Sequence, residues 1–169
     1  MSIKLVIFDL DGVLISTRTL HYEVLNQALL EEGKEYVISY QDHLLKFDGL
    51  STSKKLDMLE TERGLSKEAK ERVWERKQKL TIPSLVSSIQ EDKKIIQIIN
   101  KLKQDSIKVY VASNSIEKSV MVSLNQLGIL FLVDGYLSNE SVSFPKPHPR
   151  DLLELYDFGW CTSFRNTNR

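Results

Sequence analysis

Residues 4–12 read KLVIFDLDG, a short apolar run that ends in two aspartates and a glycine. β-Branched and aromatic residues without polar alternation are typical of a strand that is buried on both faces of a parallel sheet. The run therefore predicts a first strand over residues 4–8. Asp9 and Asp11 follow where this strand ends, and ligands of open α/β sheets bind beyond the carboxyl ends of the strands. We expect the functional site at this edge.

The second half of the chain predicts more of the same sheet. Residues 107–112 (IKVYVA) form a second apolar run, and residues 130–133 form a third, weaker one. Between them, four apolar residues recur at helical spacing before Gly128: Ile116, Val120, Leu124 and Leu127. A similar apolar stripe over residues 95–102 precedes the second strand. The order helix, strand, helix, strand predicts an α/β fold with parallel strands and crossover helices.

Residues 17–85 differ from this pattern because they contain no convincing strand. Leu20, Val24 and Ala28 share one helix face, and residues 53–62 and 66–80 are charged and helix-favouring. We therefore predict a helical insert over residues 17–85. It divides an α/β core made of residues 1–16 and 86–157, and residues 158–169 form an irregular tail.

Composition excludes several classes of protein. The 169 residues include 23 Lys and Arg against 23 Asp and Glu, so the basic excess that favours nucleic-acid binding is absent. Hydrophobic residues make up 41% and charged residues 27%, which is typical of a globular chain. No apolar run approaches the ~20 residues that span a bilayer. The single cysteine, Cys161, cannot form an internal disulfide, which fits a reducing compartment, so we expect a cytoplasmic protein. The charge balance and the lack of a long apolar run predict no nucleic-acid or membrane partner.

The two aspartates after the first strand suggest phosphoryl chemistry. One carboxylate can attack phosphorus and form an aspartyl-phosphate, while the other moves protons. A hard cation such as Mg²⁺ would hold the anionic partners together. The alternative interpretation of Asp9 and Asp11 is a polar strand-to-loop junction with a turn at residues 11–12.

Two further segments carry polar residues that suit a phosphate. Ser113 and Asn114 follow the second strand, where a hydroxyl and backbone amides can bind phosphate oxygens. Asn114 and Glu117 also fit a capping box, which is the alternative interpretation. Lys146 lies in the proline-rich stretch FPKPHP over residues 144–149, and its ammonium can neutralise phosphate charge. Taken alone, Lys146 fits an ordinary surface lysine better, since most lysines are solvated.

These three segments appear in chain order, each after a predicted strand, and together they resemble a known family. FDLDGVL, VASNS and KPHP are similar to the first three motifs of the haloacid dehalogenase-like hydrolase superfamily. The insert resembles that superfamily's helical cap, and residues 20–22 and 47–52 resemble the beta-phosphoglucomutase-like phosphatase branch. The resemblance implies a Rossmann-like core with a parallel sheet. It also implies Mg²⁺-dependent phosphoryl transfer from a small phosphorylated metabolite, such as a sugar phosphate, through an aspartyl-phosphate.

The resemblance also implies a role for each motif residue. Asp9 would be the nucleophile and first metal ligand, and Asp11 the general acid and base, with its backbone carbonyl also on the metal. Ser113, Asn114 and Lys146 would bind the phosphoryl group. The acid at position 11 favours phosphoryl transfer over carbon–halogen cleavage.

The resemblance places candidate specificity residues in the cap. Gly49, Thr52 and Lys77 stand where related proteins carry residues that select the substrate. Lys77 has a second interpretation as an exposed helix lysine among other charged residues.

The family's fourth motif, an acidic pair after a fourth strand, has no counterpart after Lys146. The chain therefore resembles a family member that stops before this motif, with a sheet of about three strands. We expect residues 4–8 to form a sheet edge that the tail over residues 158–169 or a second copy covers, since an uncovered edge would make the protein only marginally soluble. Three functions stay open: a phosphohydrolase, a phosphomutase, or a catalytically impaired relative that keeps only an anion pocket.

Overall fold

The computed structural model describes residues 3–142 and residue 146, and the predicted tail over residues 158–169 lies outside the described residues. The chain divides into two compact units. One contains residues up to 14 and from 90 onward, and the other contains residues 15–89. The predicted insert, residues 17–85, lies inside the second unit.

The elements follow one another in the order that an α/β core with a helical insert requires. They are β1 (Leu5–Asp9), α1 (Arg18–Leu30), a 3₁₀ turn (Lys34–Tyr36), α2 (Tyr40–Asp42), a π-helical turn (His43–Phe47), α3 (Thr52–Arg63), α4 (Lys67–Ser88), α5 (Lys93–Gln104), β2 (Lys108–Ala112), α6 (Glu117–Gln126) and β3 (Gly135–Leu137). None of the helices in the described ranges is both long and apolar enough to cross a bilayer.

The three strands form a parallel sheet in the order β1-β2-β3, which confirms the predicted α/β fold. Val6 lies opposite Val109, and Val111 lies opposite Tyr136. Val109 and Val111 are completely buried, as expected for the middle strand of a covered sheet. Among the described residues β1 pairs with β2 alone, so it forms an edge of the described sheet.

The third strand lies later in the chain than the sequence predicts. Residues 130–133 form a turn, because the amides of Leu132 and Val133 both donate to the Ile129 carbonyl, at 2.9 and 3.2 Å. Phe131 is 86% exposed and takes no part in the core. The prediction of a strand over residues 130–133 is therefore wrong, and β3 begins at Gly135.

Asp134 explains why β3 begins where it does. Its carboxylate accepts a hydrogen bond from the Val109 amide at 2.9 Å, and its own amide donates to the Val109 carbonyl at 2.7 Å. Burial alone would raise the pKa of Asp134, but the Val109 amide and the Lys108 ammonium outweigh it and hold that pKa below its usual value. Asp134 thus fixes β3 against β2 at the amino ends of the two strands.

The unit of residues 15–89 is helical. Its core consists of buried apolar side chains from α1, the π-helical turn, α3 and α4, among them Leu29, Phe47, Leu56, Leu59 and Val73. Ser51 and Ser66 cap the amino ends of α3 and α4 by accepting hydrogen bonds from backbone amides. Gly64, with a φ of 71°, ends α3 in the left-handed conformation that favours glycine.

Helix α4 continues beyond its predicted end at residue 80 and runs through Pro83 to Ser88. A proline inside a helix removes one backbone donor and usually ends or kinks the helix. Here Leu85, which is 1% exposed, anchors the segment after the proline in the core. The predicted boundary is wrong because burial of this last turn outweighs the local effect of Pro83.

Glu32 supplies a pH-dependent contribution to the stability of the helical unit. Its side chain, 9% exposed, accepts two hydrogen bonds from the Arg72 guanidinium, at 3.1 and 2.6 Å. The Arg72 hydrogen bond lowers the pKa of Glu32 from its ordinary value of 4.5, and Arg76 adds to the effect. This contribution is complete above pH 4.5 and is lost as the pH falls through the lower pKa of the folded state.

We therefore expect Glu32→Gln to lower the free energy of unfolding at neutral pH. As the pH falls, the free energy of unfolding of this variant should decrease less steeply than that of the unmodified chain. Urea titrations from neutral pH to below 4.5 measure both effects. Glu71→Gln, an exposed change on α4, serves as the matched control. If the free energy of unfolding of Glu32→Gln fell in acid as steeply as that of the unmodified chain, the ion pair between Glu32 and Arg72 would not contribute to stability.

Candidate active site

Asp9 is the last residue of β1, and its carboxylate points into the edge where the strands end. Its Oδ1 atom accepts a hydrogen bond from the Leu10 amide at 2.8 Å, and the side chain is 47% exposed. Leu10, 1% exposed, anchors the turn that follows. Gly12 has a φ of 88°, which lets the chain turn away sharply after Asp11. The carboxylate of Asp9 is thus fixed by its backbone and still open to a ligand.

Lys146 lies against Asp9, although 136 residues separate them in the chain. Its Nζ atom is 2.6 Å from Oδ1 of Asp9 and donates a second hydrogen bond to the Ala112 carbonyl at 2.8 Å. The lysine side chain is 22% exposed. Hydrogen bonds between two charged groups are short and strong, so this contact orients both side chains. The hydrogen bond to the Ala112 carbonyl anchors Lys146 to the last residue of β2.

Ser113 follows β2 and reaches the second aspartate. It is 4% exposed, and its hydroxyl donates to Oδ2 of Asp11 at 3.0 Å. The Ser115 hydroxyl donates to the same oxygen at 3.4 Å, while the Ser115 amide donates to the Ser113 hydroxyl oxygen at 3.0 Å. The loop after β2 therefore holds the carboxylate of Asp11 with two hydroxyl groups.

Asn114 does not cap α6, so the capping-box interpretation is wrong. Its amide Nδ2 donates to the backbone carbonyl of Lys146 at 3.1 Å. Ile116 is the N-cap residue of α6 and provides no side-chain acceptor. Asn114 instead ties the loop after β2 to the backbone of Lys146.

The charged and polar groups of this edge suit a phosphoryl group and a hard cation. Asp9 offers a half-exposed carboxylate, and the Asp11 carbonyl is a further oxygen donor, which is the ligand type that Mg²⁺ prefers. Within residues 3–142 and 146, no group of three His, Cys, Asp or Glu side chains could hold a metal ion by itself. The donor set therefore fits Mg²⁺ when phosphate oxygens and water complete the coordination.

The candidate specificity residues all lie in the helical unit. Gly49 has a φ of 73° and forms the turn after the π-helical turn, and Thr52 is the first residue of α3. Lys77 is half-buried in the middle of α4. Their role in substrate specificity stays a prediction.

Sequence reasoning missed two residues near this edge. Ser115 shares Oδ2 of Asp11 with Ser113, and Glu140 accepts a hydrogen bond from the Glu117 amide at 2.7 Å. Ser115 stood beside the predicted pair, so its hydroxyl was a visible signal. Glu140 had none, because its contact joins two segments that only the fold brings together.

The family that the sequence motifs predicted is confirmed by a match to a family model. The model of the family described as haloacid dehalogenase-like hydrolase matches residues 6–157. The chain belongs to the haloacid dehalogenase-like hydrolase family. A similar protein is pyrophosphatase PpaX of Oceanobacillus iheyensis, which is 26% identical over 154 residues that make up 88% of this chain. The chain spans 65% of the length of that relative.

Two solved structures share the fold. A beta-phosphoglucomutase from Clostridium difficile is 28% identical, with a TM-score of 0.71 over 90% of this chain and 69% of that protein. CbbY from Rhodobacter sphaeroides, solved as a mutant with xylulose-(1,5)bisphosphate, is 16% identical with a TM-score of 0.80. That match covers 94% of this chain and 73% of CbbY. The CbbY comparison supports the fold alone.

Proposed function

We propose that this chain is a phosphohydrolase that transfers a phosphoryl group from a small phosphorylated metabolite to Asp9 and then to water. The observation that carries the proposal is the contact of 2.6 Å between the Lys146 ammonium and the Asp9 carboxylate at the carboxyl edge of the sheet. A carboxylate held by a cation beside two serine hydroxyls matches what phosphoryl transfer needs, namely positioning and neutralisation of charge.

In the first step, an Asp9 carboxylate oxygen attacks phosphorus while the bond from phosphorus to the substrate oxygen breaks. Asp11 gives its proton to that leaving oxygen. In the second step, Asp11 takes a proton from water as the water oxygen attacks phosphorus. The bond between phosphorus and Asp9 breaks and inorganic phosphate leaves, so both carboxyl groups return to their starting states.

The residues around Asp9 and Asp11 have separate tasks in both steps. Lys146 neutralises charge on the phosphoryl oxygens, and the Ser113 hydroxyl, which donates to Asp11 in the structure, turns to donate to a phosphoryl oxygen when the ligand enters. Asn114 holds the backbone of Lys146 next to this loop. Asp9 and the Asp11 carbonyl would hold Mg²⁺, which when bound supplies further neutralisation of phosphoryl charge.

A phosphomutase is the second candidate. The beta-phosphoglucomutase from Clostridium difficile, at 28% identity, favours it. A mutase uses the same Asp9 chemistry but hands the phosphoryl group to a sugar hydroxyl instead of water. Incubation of the chain with a hexose phosphate separates the two: free inorganic phosphate indicates hydrolysis, whereas an isomeric hexose phosphate indicates a mutase.

Trapping the covalent intermediate tests the proposal directly. The chain is mixed with Mg²⁺ and an aryl phosphate, quenched, and treated with borohydride, which reduces an acyl phosphate to the alcohol. Peptide mass spectrometry should then find homoserine at position 9. Steady hydrolysis with an unmodified position 9 would contradict the role of Asp9. No hydrolysis of aryl or sugar phosphates would leave the anion-binding relative as the better description.

We expect weak Mg²⁺ binding in the absence of a phosphorylated ligand, because the described residues offer one carboxylate and one carbonyl for the ion. Calorimetry should detect no micromolar binding of Mg²⁺ alone and should detect binding once orthovanadate is present. Asp105→Asn, an exposed change in the same unit, should behave as the unmodified chain. Micromolar binding of Mg²⁺ alone would contradict this expectation.

A further inference from the structure

Helix α6 begins directly after the loop of residues 113–115, and its amino end is capped by a residue from another segment. Ile116 at the N-cap offers no side-chain acceptor. The carboxylate of Glu140 takes that place, since its Oε2 atom accepts the Glu117 amide at 2.7 Å. A carboxylate at this position satisfies an unpaired amide and suits the positive end of the helix dipole.

Glu140 is held in this position by the turn after β3. The Ser138 side chain is 1% exposed, and its hydroxyl accepts the Glu140 amide at 3.2 Å and pairs with the Ser141 hydroxyl at 2.9 Å. The Ser141 amide in turn donates to the Ser138 carbonyl at 3.2 Å. The carboxylate therefore reaches α6 from a closed turn rather than from a free side chain.

The same turn runs alongside the loop that contacts Asp11. The Leu137 carbonyl accepts the Ser113 amide at 3.0 Å, and the Asn139 amide donates to the Ser115 carbonyl at 3.1 Å. Residues 137–140 thus hold residues 113–117 at three successive points, of which the Glu140 carboxylate is the last. The Ser113 hydroxyl in turn donates a hydrogen bond to the carboxylate of Asp11.

We propose that Glu140 is a positioning residue that fixes the start of α6 and thereby keeps Ser113 and Ser115 aligned for phosphoryl transfer. The proposal rests on the proposed function. Glu140 acts through the loop and does not touch the reacting groups. Loss of its carboxylate frees the Glu117 amide and lets the loop shift, and small shifts of positioning groups lower rates steeply.

The test compares three variants in Mg²⁺-dependent hydrolysis of an aryl phosphate. Glu140→Ala removes the acceptor, whereas Glu140→Gln keeps an acceptor oxygen and removes only the charge. Glu91→Ala, an exposed change in the same unit, is the matched control. We expect about a tenfold loss of kcat/KM for Glu140→Ala, and activity within about twofold of the unmodified chain for Glu140→Gln and Glu91→Ala.

Inhibition by orthovanadate separates positioning from mere support of the fold. Vanadate takes the geometry of the transferring phosphoryl group, so a shifted loop should weaken its binding to Glu140→Ala about tenfold. A variant that only folds less completely would lose active molecules and keep the same inhibition constant. An unchanged inhibition constant in an active Glu140→Ala chain overturns the inference alone. An unmodified chain that hydrolyses no phosphate overturns the proposed function together with it.

Discussion

Asp9→Asn is expected to lower kcat for phosphate hydrolysis by at least ~10³-fold while the chain stays folded. The amide oxygen of asparagine still accepts the Leu10 amide and can accept from Lys146, so the local hydrogen bonds at 2.8 and 2.6 Å have a replacement. It is a poor nucleophile, however, and cannot form an acyl phosphate. Phosphate release under saturating substrate measures kcat, and circular dichroism shows whether the chain stays folded.

Asp105→Asn is the matched control for this variant, because it makes the same chemical change at an exposed position of the same unit. It should keep full activity. If Asp9→Asn hydrolysed aryl phosphates at a rate close to that of the unmodified chain, another group would have to be the nucleophile and the proposed two-step chemistry would be wrong.

The central part of the fold and the family could be predicted because they depend on local pattern. The apolar runs before Asp9 and Ser113 specify buried parallel strands, and the carboxyl ends of such strands meet at one edge. The spacing along the chain therefore predicted that Asp9, Asp11 and Ser113 would lie near one another. Lys146 was predicted from its motif alone, and the structure places its ammonium on Asp9.

The predictions that failed concern local patterns that tertiary contacts override. Residues 130–133 have the composition of a strand, yet turn hydrogen bonds to Ile129 and the pairing of Asp134 with Val109 shift the strand to Gly135. Residues 66–80 are the helix-favouring stretch, yet α4 continues through Pro83 to Ser88, where Leu85 is buried. Glu140 gave no sequence signal, because its partner is a backbone amide 23 residues earlier in the chain.

Lys146→Met is the second variant with a large expected effect. Methionine keeps the length of the side chain and removes the charge and both hydrogen bonds, to Asp9 and to the Ala112 carbonyl. Loss of one donor that stabilises transition-state charge typically costs ~10²–10³ in kcat. We therefore expect a loss of kcat of that size. The amount of acyl phosphate trapped at Asp9 should fall in parallel. Lys118→Met, on the exposed face of α6, is the matched control and should leave hydrolysis unchanged.

Lys146→Arg distinguishes the charge of Lys146 from its position. A guanidinium restores the positive charge, but its planar fork does not reproduce a point charge that bridges the Asp9 carboxylate and the Ala112 carbonyl. Activity should therefore recover only in part, to a level between those of the methionine variant and the unmodified chain. Full activity in Lys146→Arg would mean that charge alone suffices. Full activity in Lys146→Met would show that the contact between Lys146 and Asp9 has no part in phosphoryl transfer, and it would remove the observation on which the proposed function rests.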